Sequence, residues 1–236
     1  MNMPALLTIP ALDGDGLVHA FSTLELGSVG LKHAPDPNLA MANRRRFAEA
    51  LHVDPETITV AGAVHGADVA RIAVPQATVD GVDALVTDRP GIALFATYAD
   101  CYPIVLWDPT HHAAGLVHAG WRGTEAGVAA AAVAVMSDAY GSKPEDLIAG
   151  IGPGICGRCY EVGEDVAKKF NARFSTPNPS SQKFFLDLAA ANKAQLEDAG
   201  LHHVHVLGLC TKETAYLPSH RRDADGTRFG AIVAIR

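Results

Sequence analysis

The sequence predicts a mixed α/β fold, a mixed sheet or pair of sheets with helices packed outside, in one domain spanning residues 1–236. Three observations carry that expectation. Short apolar or β-branched runs outnumber helical windows by about two to one. The two kinds of element do not alternate in a strict βαβ rhythm. Several of the runs also lack polar alternation, as strands covered on both faces do.

In chain order, strands are expected at 57–64 (TITVAGAV), 69–74 (VARIAV), 92–97, 103–107, 113–119, 147–152, 205–208 and 231–235. Helices are expected at 38–51, 124–140, 164–174 and 187–199. In the first, Leu39, Ala42, Phe47, Ala50 and Leu51 recur at helical intervals, and the basic run Arg44, Arg45, Arg46 interrupts that face. Thr124 reads as the N-cap of the second, with Gly141 and Pro144 as its stop; Asp187 caps the fourth and Gly200 closes it. The loop 175–182, with Pro177 and Pro179, reads as the mobile stretch.

Composition bounds the function. A chain of 236 residues that is 48% apolar can bury one full core and is short for two domains. A net charge of −7 supplies no basic field for nucleic acid or an anionic membrane, although a local arginine pocket can still hold one small anion. The opening MNMPALLTIPALDGDG has no basic leader, and Pro4 and Pro10 break its apolar run. No other run approaches the roughly 20 apolar residues a bilayer needs. The expectation is a cytoplasmic protein. Four unevenly spaced cysteines argue for reduced thiols rather than a disulfide framework.

Three polar groups stand at the edges of apolar runs beside small residues: His65 in AVHGAD, Cys101 in YADCYP and His118 in GLVHAGWRG. Their spacing is too long for a zinc knuckle or finger. A catalytic zinc needs only three protein ligands, which can come from separate strands, and it leaves a fourth position open. Taken singly, each histidine also reads as a hydrogen-bonded rim residue and the cysteine as a small buried hydrophobe. After His118, Gly120, Trp121, Arg122 and Gly123 lead into a helix, so free amides and a guanidinium converge where an anion can bind. The plainer reading is a tight turn with Arg122 solvated and Trp121 packed.

Two further clusters remain. GIGPGICGRCYEVG (150–163) carries Cys156 and Cys159 in C-x-x-C spacing, but Pro153 and Gly157 favour a structured loop over a redox helix, and no partner pair lies nearby in sequence. YLPSHRRD (216–223) reads as a solvated loop that can also offer Arg222 to the same pocket.

DALVTDRPGIALFATYADCYPIVLWDP, HHAAGLVHAGWRGT, GIGPGICGRCYEVG and LCTKETAYLPSHRRD resemble, in this order, the laccase-domain proteins. These were once called multicopper polyphenol oxidases and are now regarded as purine nucleoside phosphorylases. The resemblance runs from about His19 to near the C-terminus. It implies a mixed α/β sandwich with zinc held by His65, Cys101 and His118. It also implies phosphorolysis of adenosine, inosine, guanosine and S-methyl-5'-thioadenosine, together with adenosine deamination; apart from the resemblance, the expected assembly is a monomer or homodimer. Two positions depart from the family: Leu24 stands where it has arginine, and Cys156 where it often has glycine. The older oxidase label finds no support in the residues, because His203 and His205 are an isolated His-x-His pair.

The roles that follow are specific. Cys101 is a zinc thiolate first and a nucleophile second, since zinc keeps the thiol ionised. Asp100 is the nearest candidate by sequence for a proton shuttle, and it reads equally as a turn-capping carboxylate. Arg122, the amides near Gly120 and Gly123, and Arg222 are expected to hold phosphate, while Tyr98, Trp121 or Tyr160 stacks on the base. Two other classes compete: a cysteine hydrolase using a Cys101/His118 dyad, and a non-catalytic metal- or nucleotide-binding module with Leu24 marking a decayed site.

Overall fold

The computed structural model describes residues 3–14, 16–32 and 34–236. Its first half contains β1 (Leu6–Leu7), β2 (Leu17–Ser22), α1 (Pro37–Ala50), β3 (Ile58–Gly62), β4 (Val69–Arg71), β5 (Thr78–Asp80) and β6 (Ala84–Thr87). There follow β7 (Ala93–Tyr98), β8 (Tyr102–Asp108), β9 (Ala113–Ala119), α2 (Trp121–Glu125), α3 (Val128–Tyr140) and β10 (Ile148–Ile151). The remainder holds β11 (Glu161–Val162), α4 (Glu164–Ala167), β12 (Ser175–Pro177), β13 (Phe184–Leu186), α5 (Leu188–Asp198), β14 (His203–Val206), α6 (His220–Asp223) and β15 (Phe229–Ile235).

Two six-stranded mixed sheets form, ordered β1-β2-β15-β7-β3-β5 and β14-β10-β8-β9-β6-β4, beside a small sheet β11-β13-β12. The large sheets face each other. Phe21, Leu94, Tyr98, Phe229 and Val233 of the first meet Leu85, Val105, Trp107 and Leu116 of the second in one buried cluster. On the far side of the second sheet, Ile104, Leu106 and Val117 pack against Val133 and Met136 of α3 and Leu188 and Leu196 of α5. Outside the first sheet, Ala93, Phe95 and Ile232 pack against Phe47 and Ala48 of α1. The result is a helix–sheet–sheet–helix sandwich, as expected. Strands β8, β9 and β15 are buried at every position because both their faces are covered, which is why their sequences show no polar alternation.

Several expectations are corrected. The helix expected at 124–140 is two helices: α2 starts at Trp121 with Gly120 as N-cap, and Gly127, at φ +80°, breaks the chain before α3. Thr124 is therefore inside α2, where its hydroxyl pairs with Asn192 of α5. The helix expected at 164–174 shrinks to the single turn α4 and a 3₁₀ turn at Ala172–Phe174. Part of the loop 175–182 is β12, paired with β13. Strands β2 and β6 were not anticipated, since LVHAFS mixes polar with apolar residues and ALVT is only four residues long. Arg44 does not interrupt the buried face of α1. It joins that face, donating through Nε to the Val29 carbonyl at 3.0 Å with its guanidinium 4.6 Å from the Phe95 ring centre.

Candidate metal centre

The second sheet gathers the site at one end. Strand β8 pairs antiparallel with β9 so that Tyr102 faces Ala119 and Pro103 faces His118; on the other side of β9, Ala84 of β6 faces Val117. Cys101 immediately precedes β8, Asp83 immediately precedes β6, and His118 is the penultimate residue of β9. Three neighbouring strands thus deliver a thiol, a carboxylate and an imidazole to one edge. His65 arrives from the loop between β3 and β4. One donor atom each from His65, Cys101 and His118 lie within 4.8 Å of one another. The sequence reading proposed these three, and register brings them together.

Asp83 holds the arrangement, and the sequence reading assigned it no role. Its side chain is fully buried. One oxygen accepts the His65 N–H at 2.9 Å and faces His118 Nδ1 at 3.0 Å. The other accepts the N–H groups of Val64 at 3.1 Å and Gly66 at 2.7 Å. With Nδ1 donating to Asp83, His118 keeps Nε2 free to ligate, the carboxylate–histidine support that metal-binding imidazoles use. The available sequence signal was an acidic residue at the mouth of a buried apolar strand, in VDGVDALV.

Small residues keep the centre open. A Cβ on Gly120 would lie 2.9 Å from Cys101 Sγ and 3.0 Å from His65 Cδ2; one on Gly123 would lie 2.9 Å from the Gly66 carbonyl. Gly120 therefore borders the donors, and Gly123 lets α2 abut the His65 loop. Because α2 is a single turn, its amides offer little dipole to an anion, and close packing gives both glycines a spacing role.

The charges couple strongly. Burial opposes ionisation of Cys101, yet the charge and hydrogen bond of His118, together with His65, outweigh it and bring the thiol down to about 6. Burial likewise opposes a charged His118, but the Cys101 thiolate and the Asp83 carboxylate lift the imidazole to about 9. Without a metal the pair is a thiolate beside an imidazolium. With a cation present, both proton-binding sites become donors, the combination of soft sulfur and two nitrogens that suits zinc-class ions.

The surrounding residues divide into those at the centre and those with other work. Asp100, expected as a proton shuttle, is nearly buried with φ +84°. Its Oδ1 accepts from the hydroxyls of Thr211 and Ser219, each at 2.7 Å, and its Oδ2 accepts the Arg221 N–H at 2.7 Å. Both oxygens accept hydrogen bonds from the 211–221 segment, and the carboxylate clasps that segment to the Cys101 turn. Arg222, expected to hold phosphate, is turned away: it donates to the carbonyls of Thr211, Lys212, Thr214 and Leu217 and pairs with Asp223. Its neighbour Arg221 instead lies over the Tyr160 ring at 5.2 Å. Consecutive helical residues point about 100° apart, and sequence alone gave no means of choosing between them. Burial raises Tyr160 to about 12, against the pull of the Arg221 guanidinium over its ring. Arg122 is exposed, 4.3 Å from the Trp121 ring centre, and Trp121 packs partly into the outer core. Tyr98 does not face a ligand, since it is buried with its hydroxyl on the Val117 carbonyl at 3.1 Å. Leu24 lines a separate cleft with Glu213 and Arg222.

A mixed α/β sandwich that gathers two histidines and one cysteine at one sheet edge defines a candidate three-donor metal centre. Residues 18–236 match the family described as multi-copper polyphenol oxidoreductase laccase, and the chain belongs to that family. A purine nucleoside phosphorylase of Deinococcus radiodurans is 39% identical over 228 residues, covering 92% of this chain and 88% of its own. An adenosine deaminase of an unknown prokaryotic organism, RL5, is 40% identical over 138 residues, covering 56% of this chain and 52% of its own. The crystal structure of YlmD from Geobacillus stearothermophilus superposes with a TM-score of 0.91 at 32% identity, covering 100% of this chain and 98% of that one. Among the described residues, no helix is long and apolar enough to cross a membrane.

Proposed function

We propose that this protein is a zinc-dependent purine nucleoside phosphorylase acting on adenosine, inosine, guanosine and S-methyl-5'-thioadenosine, and that it also deaminates adenosine. The observation that carries the reading is the convergence of His65, Cys101 and His118 with Asp83 bracing two of them, in a chain that resembles phosphorylases over nearly its whole length. The donor set fits zinc: His118 presents a free Nε2, and Gly120 leaves space beside the thiol. Bound there, zinc supplies Lewis acidity at an open coordination position.

The chain's own residues supply the rest. In phosphorolysis a phosphate oxygen bonds to C1′ of the ribose, the N-glycosidic bond breaks, and its electron pair leaves with the purine, which takes up a proton. Arg122, exposed beside the centre, binds the phosphate, with Arg221 replacing Arg222 as its second cation. Tyr160 and Trp121 offer ring faces to the base. Asp100 acts on the reaction through position, by holding Arg221 and the Cys101 turn. Four unpaired cysteines agree with a reducing, cytoplasmic setting.

One observation favours a second reading: Cys101 and His118 lie with donor atoms within 4.8 Å, where their mutual charges lower the thiol and raise the imidazole as in a cysteine hydrolase dyad. A phosphate-dependent assay on inosine, run with zinc-loaded and chelator-stripped protein, separates the two. Phosphorolysis that disappears on stripping and returns with zinc supports the proposal. Turnover that survives in metal-free protein refutes it.

A further inference from the structure

A second cluster lies outside this centre. Cys156 and Cys159 follow β10, and Cys210 and Glu213 follow β14, the strand paired parallel beside it. One donor atom from each of the four residues lies within 4.8 Å of all the others. The sequence reading found no partner for the C-x-x-C pair. The partner is a C-x-x-E segment more than fifty residues away, brought alongside by the parallel pairing of β10 with β14 and by a bridge between Gly154 and Cys210.

The backbone shapes both segments alike. Cys156 to Cys159 is a turn in which the Cys159 and Tyr160 N–H groups donate to the Cys156 carbonyl at 2.9 and 3.0 Å. Cys210 to Glu213 is a matching turn, with the Glu213 and Thr214 N–H groups donating to the Cys210 carbonyl at 3.2 and 2.9 Å. Each turn points two donors into the space between them. The Cys156 N–H donates to Cys210 Sγ at 3.3 Å, so the second turn's sulfur is already seated over the first.

The distances suit a small tetrahedral ion. With metal–sulfur bonds near 2.3 Å and metal–oxygen bonds near 2.0 Å, tetrahedral geometry puts donors about 3.8 Å apart for two sulfurs and about 3.5 Å apart for sulfur and oxygen. Glu213 Oε1 lies 3.4 Å from Cys159 Sγ, and Oε2 lies 3.9 Å from Cys156 Sγ. All four donors lie within 4.8 Å of one another, so no separation exceeds the ideal by more than about 1.3 Å, and rotation of these part-exposed side chains closes that difference. Arg158 fixes the carboxylate from behind, donating through Nε to Oε1 at 2.7 Å and through its other nitrogen to Oε2. A carboxylate accepts at about four positions, so those facing the thiols stay free. The guanidinium also offsets part of the charge that three thiolates and a carboxylate would leave around a divalent ion.

We propose that Cys156, Cys159, Cys210 and Glu213 form a second metal site, a closed structural centre for zinc or a similar thiol-seeking divalent cation. Four protein ligands leave no open position, unlike the three-ligand centre at Cys101. The ion staples the loop after β10 to the loop after β14. Both loops anchor the Cys101 turn: Ile155 N–H donates to the Asp100 carbonyl at 2.9 Å, and Thr211 donates to the Asp100 carboxylate. The staple therefore stiffens the ground on which the first centre stands without touching its ligands.

The test is metal stoichiometry by mass spectrometry on the reduced, purified protein and its variants. The wild type is expected to carry about two zinc per chain, and His118→Ala and Cys159→Ser about one each. Cys159→Ser should also lower the melting temperature while keeping zinc-dependent phosphorolysis. Because a cysteine variant can fail to fold, the second arm loads the His118→Ala protein with Co(II). It should show intense sulfur-to-cobalt charge-transfer absorption and tetrahedral d–d bands, both weakened in His118→Ala/Glu213→Gln. A wild type whose only zinc is lost in His118→Ala, or a His118→Ala protein with no thiolate–cobalt absorption, overturns the proposal. So does a disulfide among the three cysteines in protein purified under reducing conditions. Loss of phosphorolysis with two zinc ions still bound would instead count against the function proposed above and leave this site standing.

Discussion

Asp83→Asn isolates the support beneath the first centre. Each Asp83 oxygen faces two donors, His65 N–H and His118 Nδ1 on one side, Val64 and Gly66 N–H on the other. Asparagine keeps the shape but turns one oxygen into a donor, and whichever way the amide lies, an NH₂ group meets two others. Hydrogen bonds to a charged acceptor are worth about 1.5–3 kcal/mol each, so losing two in a buried site costs about 3–6 kcal/mol. For a chain of this size that is a fall of about 6–24 °C in melting temperature. The same change releases His118 from the tautomer that frees Nε2, and loss of such a support typically costs about 10- to 100-fold in metal affinity. Competition against a chelator of known affinity measures the second effect, and calorimetry of the stripped proteins the first. An asparagine variant that melts lower but binds zinc as tightly as the wild type would refute the claim that Asp83 prepares the ligands.

Three other outcomes are expected. Gly120→Ala, at φ −83° where alanine is unstrained, should leave the melting temperature of stripped protein within a few degrees but weaken zinc binding by about tenfold or more, because the new methyl meets Cys101 Sγ and His65; unchanged affinity would contradict the packing. Asp100→Asn should retain most phosphorolysis at reduced stability, and kcat and KM measured across pH will tell, since an abolished kcat with an intact fold would restore the proton-shuttle role. His19 is buried with Nε2 accepting the Ile9 N–H at 2.9 Å, and burial, against the pull of Asp13, holds its pKa below 6.5. The unfolded chain then binds the proton more readily, so this contribution to stability is full above about pH 6.5 and is lost as pH falls from there through the lower folded value. Denaturation midpoints at pH 7.5 and 5.5 should converge in His19→Gln relative to wild type; equal pH sensitivity would show that His19 contributes nothing.

The sequence by itself determined the layers and singled out three candidate donors. Doubly covered strands such as PIVLW and AAGLVHA announce themselves because burial on both faces removes polar alternation, and His65, Cys101 and His118 each sit where an apolar run ends beside small residues. Tertiary structure decided what depends on register and direction. The pairing of β6 with β9 set Asp83 against His118 across 35 residues. The parallel pairing of β10 with β14 supplied Cys156 and Cys159 with Cys210 and Glu213. Helical rotation turned Arg222 into backbone carbonyls while Arg221 went to Tyr160, and three hydrogen bonds made Asp100 a clasp. The physical reason is common to all of these. Local periodicity records which face of an element is dry, but a side chain's partner is fixed by the strand that lies beside it, and that neighbour is chosen by the whole core at once.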